Sequence, residues 1–489
     1  MNRSILPNRA ESPAPASSDD HASDLRSRCR GVVPLDAIWM PWMTDLASNP
    51  VRVEQLIQLH GSPVNVLTSN PMRATICDLK TVAAEANLPL QIHLARKANK
   101  CVEFVRAGIP NSIGFDVASE SELRQTLGEF EGSLDEPFED SILCTAAIKP
   151  DGLIRLCVTE NVTLVIDNAD ELATLREVLA CIEQPAPVAR IAFRLQPCRQ
   201  KFPALATRFG TPASELVRLA KTVLDDQRIE VVGVHFHVQR SHEQFAPQFT
   251  RSLIEDALET VDRLRETGHS IAWLDMGGGF PINYLRDESQ WRRFLALAQP
   301  DPASNGEFAI DREMTWSQRP LIDVDPAWQP WNAVHWFREV LTPTLVSEIT
   351  RRELTLKCEP GRALLDGCGM TIAEVQFVKN GSDDELLVGL MMNSSQCRTT
   401  RDDFLVDPIV IGKSNSPDPA ANDNNDDETT GFFVGGYCTE SEVLMQRRFR
   451  FPHGISRGDL VLIPNTAAYQ MHFAESQAHQ MPLAANVFF

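Results

Sequence analysis

LQIHLARKA (90–98), SIGFDVAS (112–119), SILCTAAI (141–148), VTLVIDN (162–168), ARIAFRLQP (189–197), VVGVHFHV (231–238), IAWLDMGGG (271–279) and LTLKCEPG (354–361) are short apolar runs spread over residues 85–365. Each has the length and β-branched content of a buried strand. Helical patterns fill most gaps between them. The clearest is the stripe Phe249, Leu253, Ile254, Leu258, Val261, Leu264, which stops at Gly268; ADELATLREVL (169–179) opens with the acidic start that a helix favours. Eight β-then-α units in one run predict a (β/α)8 TIM-type barrel rather than an open doubly wound sheet. The polar residues agree. Lys97, Asp116, Thr145, Asp167, Arg194, His237, Gly277–Gly279 and Glu359 all stand at the C-terminal ends of the runs, the end at which such barrels build their sites.

Outward from the barrel the pattern changes. After Arg362 the runs MTIAEVQFVKN, ELLVGLMMN, GFFVGGYC and DLVLIPN are strand-like with few helical stretches between them. They predict a mostly β second domain. The early segment SPVNVLTSN (62–70) has the same character, so the chain is expected to leave that domain, make the barrel and return. The expected division is a disordered tail over 1–30, an N-terminal β segment over 31–70, the barrel over 71–365 and the β domain over 366–489. An insertion at about 284–345 carries Trp291, Trp316, Trp328, Trp331 and Trp336, either as a packed lid or interface, or as an element over the site. A low-complexity loop is expected at about 414–430.

At 489 residues two domains are the natural expectation. The net charge of −20 gives no footprint for nucleic acid or an anionic membrane. The longest apolar runs fall short of the roughly 18 residues that a membrane span needs. The eleven cysteines are scattered, without a C-x-x-C pair. That usage fits a reducing cytoplasm better than a disulfide framework or a zinc cage.

Taken singly, the polar residues have plain explanations beside chemical ones. Three glycines after a strand, Gly277, Gly278 and Gly279, let backbone N–H groups approach a phosphate, although Gly-rich turns are commonly only turns. Lys97, at a strand end, is either a surface lysine or a desolvated amine of lowered pKa, suited to a Schiff base. Glu359 and Arg362 flank a Pro-Gly turn and are placed for an ion pair. His235 and His237 share a strand face at a spacing that can bind metal, but no further ligand follows, so no metal is expected. Cys438 follows a Gly-Gly turn and is either an exposed thiol or a buried inert one.

Their order and spacing, however, resemble a known set. RKAN around Lys97, FDVASESEL, HFHV, LDMGGGF, EPGR and YCTESE closely resemble the fold-type III pyridoxal 5′-phosphate (PLP) enzymes, within them the ornithine and diaminopimelate decarboxylase-like group, from about Pro63 onward. The resemblance implies a PLP-binding barrel with a β domain, and a homodimer with shared sites acting on a small amino acid. Lys97 would carry PLP as an internal aldimine, with Asp116 and Glu122 as its buttress. His237 would stack on the ring, Arg194 would be a further cofactor contact, and Glu359 would bond the pyridine nitrogen. Gly277, Gly278, Gly279, Arg362 and Tyr469 would hold the phosphate. Cys438, from the second subunit, would protonate the α-carbon. Glu359 tilts the expectation to decarboxylation, because it keeps the ring an electron sink, whereas racemases of this fold carry arginine there. The alternatives are a racemase or epimerase, or a PLP-binding protein without turnover.

This sequence departs from that pattern on the substrate side. Arg240 replaces a small phosphate-contacting serine. Ser394 and Thr439 stand where the group carries acids that hold a distal amine, and Glu440 or Glu442 would have to compensate. Arg398 is placed to bind a distal carboxylate or to sit on the surface. The expected substrate is therefore not simply ornithine, lysine or diaminopimelate.

Overall fold

The computed structural model describes residues 25–489 apart from 132–139, 184–186, 206, 239–241, 299–313, 319–320, 322–323, 325, 382–383, 400–405 and 414–428. Most of the expected N-terminal tail, most of the low-complexity loop and Arg240 lie outside the described residues. The last part of the expected tail is structured: Arg30–Gly31 pairs antiparallel with Phe449–Phe451.

All eight apolar runs are strands of one barrel. They are β1 (Leu90–Ala95), β2 (Gly114–Val117), β3 (Ile142–Cys144), β4 (Thr163–Ile166), β5 (Ala189–Gln196), β6 (Ile229–His235), β7 (Trp273–Asp275) and β8 (Thr355–Cys358). Every pairing is parallel, in the order β4-β3-β2-β1-β8-β7-β6-β5, and β4 pairs with β5 to close the ring. The predicted stripe is the helix Pro247–Glu266, and Ala169–Ala180 begins where Asn168 accepts the N–H of Glu171. No described helix is long and apolar enough to cross a membrane.

The floor of the barrel is polar. Asp140, just before β3, accepts from Thr163 Oγ1 at 2.6 Å, Trp273 Nε1 at 2.9 Å, and Arg190 at 3.1 and 3.2 Å, while Lys357 Nζ stands 3.4 Å away. Its backbone carbonyl meets His93 Nε2 at 2.8 Å. One residue therefore ties β1, β4, β5, β7 and β8. Glycines make the room: a β-carbon at Gly114 would fall 2.3 Å from the His93 ring, and one at Gly233 would fall 2.4 Å from Trp273. Lys357 also rests on the Trp273 ring, 4.3 Å from its centroid.

The second sheet is mostly antiparallel. Its centre is Gly369–Asn380, flanked by Leu386–Leu390 and Leu460–Pro464, with Thr429–Val434 and Ile409–Ile411 farther out. Val64–Leu67 joins it by pairing with Gly369–Asn380 and with Ala485–Phe488. The connection from β7 to β8 holds the helices Glu288–Ala298, Ala333–Val340 and Pro343–Thr350. Its tryptophans pack. Trp291 stacks on Phe294, Trp316 meets Phe432 of the second sheet edge-on, and the buried Trp336 lies 4.9 Å from Phe280 while donating to Phe245 O at 2.6 Å.

Burial alone would raise the Asp140 carboxyl, but Lys357, Arg190 and Thr163 outweigh it and hold it at about 2. A carboxyl depressed below its unfolded value of 3.8 contributes stability above that pH and loses it as pH falls towards 2. Asp140→Ala, which leaves Lys357 and Arg190 without that acceptor, is expected to cost about 3–5 kcal/mol in urea unfolding at pH 7. The deficit should narrow below about pH 4. A loss under about 1 kcal/mol would show that the floor contacts do not carry this load.

Candidate active site

The C-terminal rim of the barrel encloses a cavity of about 380 Å³. Lys97, in the short turn Arg96–Ala98 after β1, points its Nζ to Asp116 Oδ2 at 3.0 Å. Asp116 is the penultimate residue of β2, and its other oxygen accepts from Thr145 Oγ1. Burial would lower the Lys97 pKa, as the sequence suggests, but Asp116 chiefly, with Glu359 and Tyr469, outweighs it and the amine is raised above its ordinary value. The expectation of a lowered pKa is corrected by that 3.0 Å ion pair. Glu122 lies one turn away and accepts the N–H of Ala118 at 2.7 Å rather than touching Lys97.

Opposite the lysine is a group of buried acids. Glu359 follows β8, and its N–H is fixed to Gly277 O at 2.9 Å. Its Oε1 has no hydrogen-bond partner, nor does Asp275 Oδ2. Burial pushes both carboxyls up; Glu359 adds to the rise at Asp275, which lies well above the usual range, whereas Lys97, Arg194 and Asp275 itself oppose the rise at Glu359. Arg194 Nε donates to His235 Nδ1 at 3.3 Å, which leaves the proton on Nε2, 3.4 Å from Glu359 Oε1. Burial, then Arg194, keeps His235 neutral. His235, Asp275 and Glu359 present ligand atoms within 4.8 Å of one another. A metal ion there would face the cationic Arg194 and Lys97, which favours a shared proton instead.

The turn after β7 makes a cradle. Gly277 (φ 65°) and Gly279 (φ 79°) adopt left-handed backbone that glycine tolerates. Asp275 Oδ1 accepts the N–H of Gly277 at 2.8 Å, and His237 Nδ1 that of Gly278 at 3.1 Å. A β-carbon at Gly278 would lie 2.8 Å from Glu359 O, and one at Gly361 would lie 2.6 Å from the Tyr469 hydroxyl. The Arg362 guanidinium sits 5.2 Å from the Tyr469 ring. Lys97, His237, Gly278, Gly279, Glu359, Arg362 and Tyr469 all line the one cavity.

A profile of the family "Pyridoxal-dependent decarboxylase, pyridoxal binding domain" matches residues 74–299. Over those residues the chain belongs to the fold-type III pyridoxal-dependent decarboxylases. It is a PLP-dependent enzyme of that family, at low identity to its relatives. It is 26% identical over 437 residues, 87% of each chain, to the uncharacterized protein y4yA of Sinorhizobium fredii. It is 24% identical to a diaminopimelate decarboxylase of Corynebacterium efficiens, covering 86% of this chain and 81% of the relative. Among solved structures, a Selenomonas ruminantium lysine decarboxylase shares the fold with a TM-score of 0.63 at 17% identity, over 90% of this chain and 96% of that one.

The cavity fits the decarboxylase cofactor. It has an amine for the aldehyde, a buried carboxyl with an unpartnered oxygen for a ring nitrogen, and a glycine turn without side chains beside an arginine for the phosphate. The substrate-side residues are not brought onto this cavity. Cys438, Thr439 and Glu440 are exposed on the loop after Thr429–Val434. Arg398 is held to Val443 O. Ser394 gives its N–H and hydroxyl to the two oxygens of Glu442, each at 2.7 Å. The sequence reading passed over Asp275 in LDMGGGF, where the glycines drew attention. It also passed over Phe245, Gln329 and Phe473, which have no motif and reach the cavity only through tertiary packing.

Asp116→Asn removes the charge that raises Lys97, so the amine is expected to titrate at lower pH. Stopped-flow loading with PLP should then show its pH midpoint displaced to lower pH than wild type, with faster first capture at pH 8. A midpoint unchanged or moved upward would remove Asp116 as the controlling charge.

Proposed function

We propose that the enzyme removes the carboxyl group of an α-amino acid as CO2, with its cofactor held on Lys97. The observation that carries this reading is the convergence of Lys97, Glu359, the Gly277–Gly279 turn and Arg362 on one cavity. Bound there, the cofactor supplies a conjugated ring that accepts the electron pair left when the Cα–carboxylate bond breaks. Glu359 holds a proton at the ring nitrogen, and Asp275 beside it, kept protonated by burial, leaves the one carboxylate charge to Glu359. His237, fixed by the Gly278 N–H, would lie against the ring. Asp116 would hold the Lys97 amine whenever that amine is not joined to the cofactor.

Cys438 donates the proton that replaces CO2 at the α-carbon, delivered by a second copy of the chain. Its exposure, and its place off its own chain's cavity wall, support that assignment. The substrate is not simply ornithine, lysine or diaminopimelate. Ser394 and Thr439 are neutral, and the Glu442 carboxylate is held by the N–H and hydroxyl of Ser394, which supports a substrate without a distal ammonium at those positions.

The reconstituted enzyme should show the visible absorption band of lysine-bound PLP, and Lys97→Ala should lack it. A panel of L- and D-amino acids should yield CO2 from at least one member, and Glu359→Gln should keep the band while slowing release by about 10²-fold. Exchange of the α-proton with the carboxylate retained would make the protein a racemase. A band without any turnover would make it a binding protein.

A further inference from the structure

Gln329 is the unexplained residue of the cavity. It belongs to the connection between β7 and β8, is 2% exposed, and neither its amide nitrogen nor its oxygen has a hydrogen-bond partner. Leaving a buried amide unmet costs about 1–3 kcal/mol, so a side chain in this state beside a cavity is placed for a ligand. Its position says which part. The Tyr284 N–H donates to Ala327 O at 2.8 Å, which straps the segment bearing Gln329 to the chain leaving the glycine turn. Phe280 and Ile282 of that chain, with Pro326 and Gln329, line the same cavity as Gly279 and Arg362. Phe280 is held in turn by Trp336 and Phe337, at 4.9 and 5.7 Å between ring centroids. The amide therefore arrives beside the chain that leaves the glycine turn, on the cavity wall it shares with Gly279 and Arg362.

We propose that Gln329 is a phosphate ligand, donating its Nε2–H to the cofactor's phosphate and completing the cradle of the Gly277–Gly279 turn and Arg362. This rests on the cofactor site proposed above. A phosphate dianion offers only acceptors, which suits the amide's two donors, and Oε1 is left to a water of the phosphate's hydration. The tryptophan-rich insertion thereby has a binding duty: it carries a donor to the anion.

The test compares PLP with pyridoxal, which lacks the phosphate, by titrating the absorbance of the holoprotein-forming chain. Gln329→Met keeps the volume and removes both polar atoms. It should raise the Kd for PLP about tenfold, leave that for pyridoxal unchanged, and raise the thermal midpoint of the chain measured without cofactor. Gln329→Glu, which sets a negative charge against the dianion, should weaken PLP further, again sparing pyridoxal, and the 31P resonance of the bound cofactor should shift in both variants. Equal weakening of PLP and pyridoxal would overturn the inference, as would an unchanged Kd for PLP together with altered response to amino acids. If the wild type binds neither compound, it is the cofactor site on Lys97 that fails, which is a different result from wild-type binding that Gln329→Met does not disturb.

Discussion

Asp140 carries an ionised carboxyl at the floor of the barrel, where burial opposes the charge and only its neighbours allow it. Thr163, Arg190 and Trp273 donate to it, Lys357 stands against it, and its carbonyl receives His93. Five strands far apart in sequence meet at this one residue. A parallel barrel has no local turn to set the register of neighbouring strands. A shared, geometrically demanding acceptor at one end can fix several registers together. Registers set at the floor also decide where Lys97, Asp116, His235, Asp275 and Glu359 emerge at the rim, since each lies within two residues of a strand's C-terminal end.

The rim is built on the opposite logic. The Asp140 carboxylate at the floor finds its partners within the protein, whereas Glu359 Oε1, Asp275 Oδ2 and both polar atoms of Gln329 do not. Burial raises both the Asp275 and the Glu359 carboxyl, and the neutral His235 between Arg194 and Glu359 fixes which ring nitrogen bears hydrogen. Such an arrangement costs stability and supplies groups whose protonation responds to what binds beside them.

Much of the barrel was legible because each strand is buried on both faces and therefore stands out as an apolar run. Its polar ends marked the rim, and the ordered motifs named Lys97, His237, Gly277–Gly279, Glu359, Arg362 and Tyr469, all but Gly277 lining the cavity. What stayed hidden depends on distance in space. Nothing in the sequence around Asp140 announces that Trp273 and Lys357 will reach it. Gln329 lies some fifty residues past the glycine turn, and only the strap at Tyr284 brings it back. The pKa of Lys97 was misjudged for the same reason, since burial is visible in an apolar run and the nineteen-residue reach to Asp116 is not. The place of Glu442 was open in the sequence, and only the fold shows its carboxylate accepting the N–H and hydroxyl of Ser394.

The strand Val64–Leu67 sits between Gly369–Asn380 and Ala485–Phe488, so the Thr371 hydroxyl bonds the Asn65 side chain across 306 positions of chain. On a ribosome adding about 5–20 residues per second, that early strand waits on the order of 15–60 s for its first partner. Its sequence, VNVL, is apolar enough to pair wrongly in that interval. The barrel lies entirely between the two strands and can close during the wait. Once closed, it shortens a loop of some three hundred residues to the separation between the ends of one folded body, and most of the entropy of joining has already been met. Order of synthesis and order of assembly are thus different in this protein: the segment made early is finished late, and the domain made in the middle acts as the jig that lines it up.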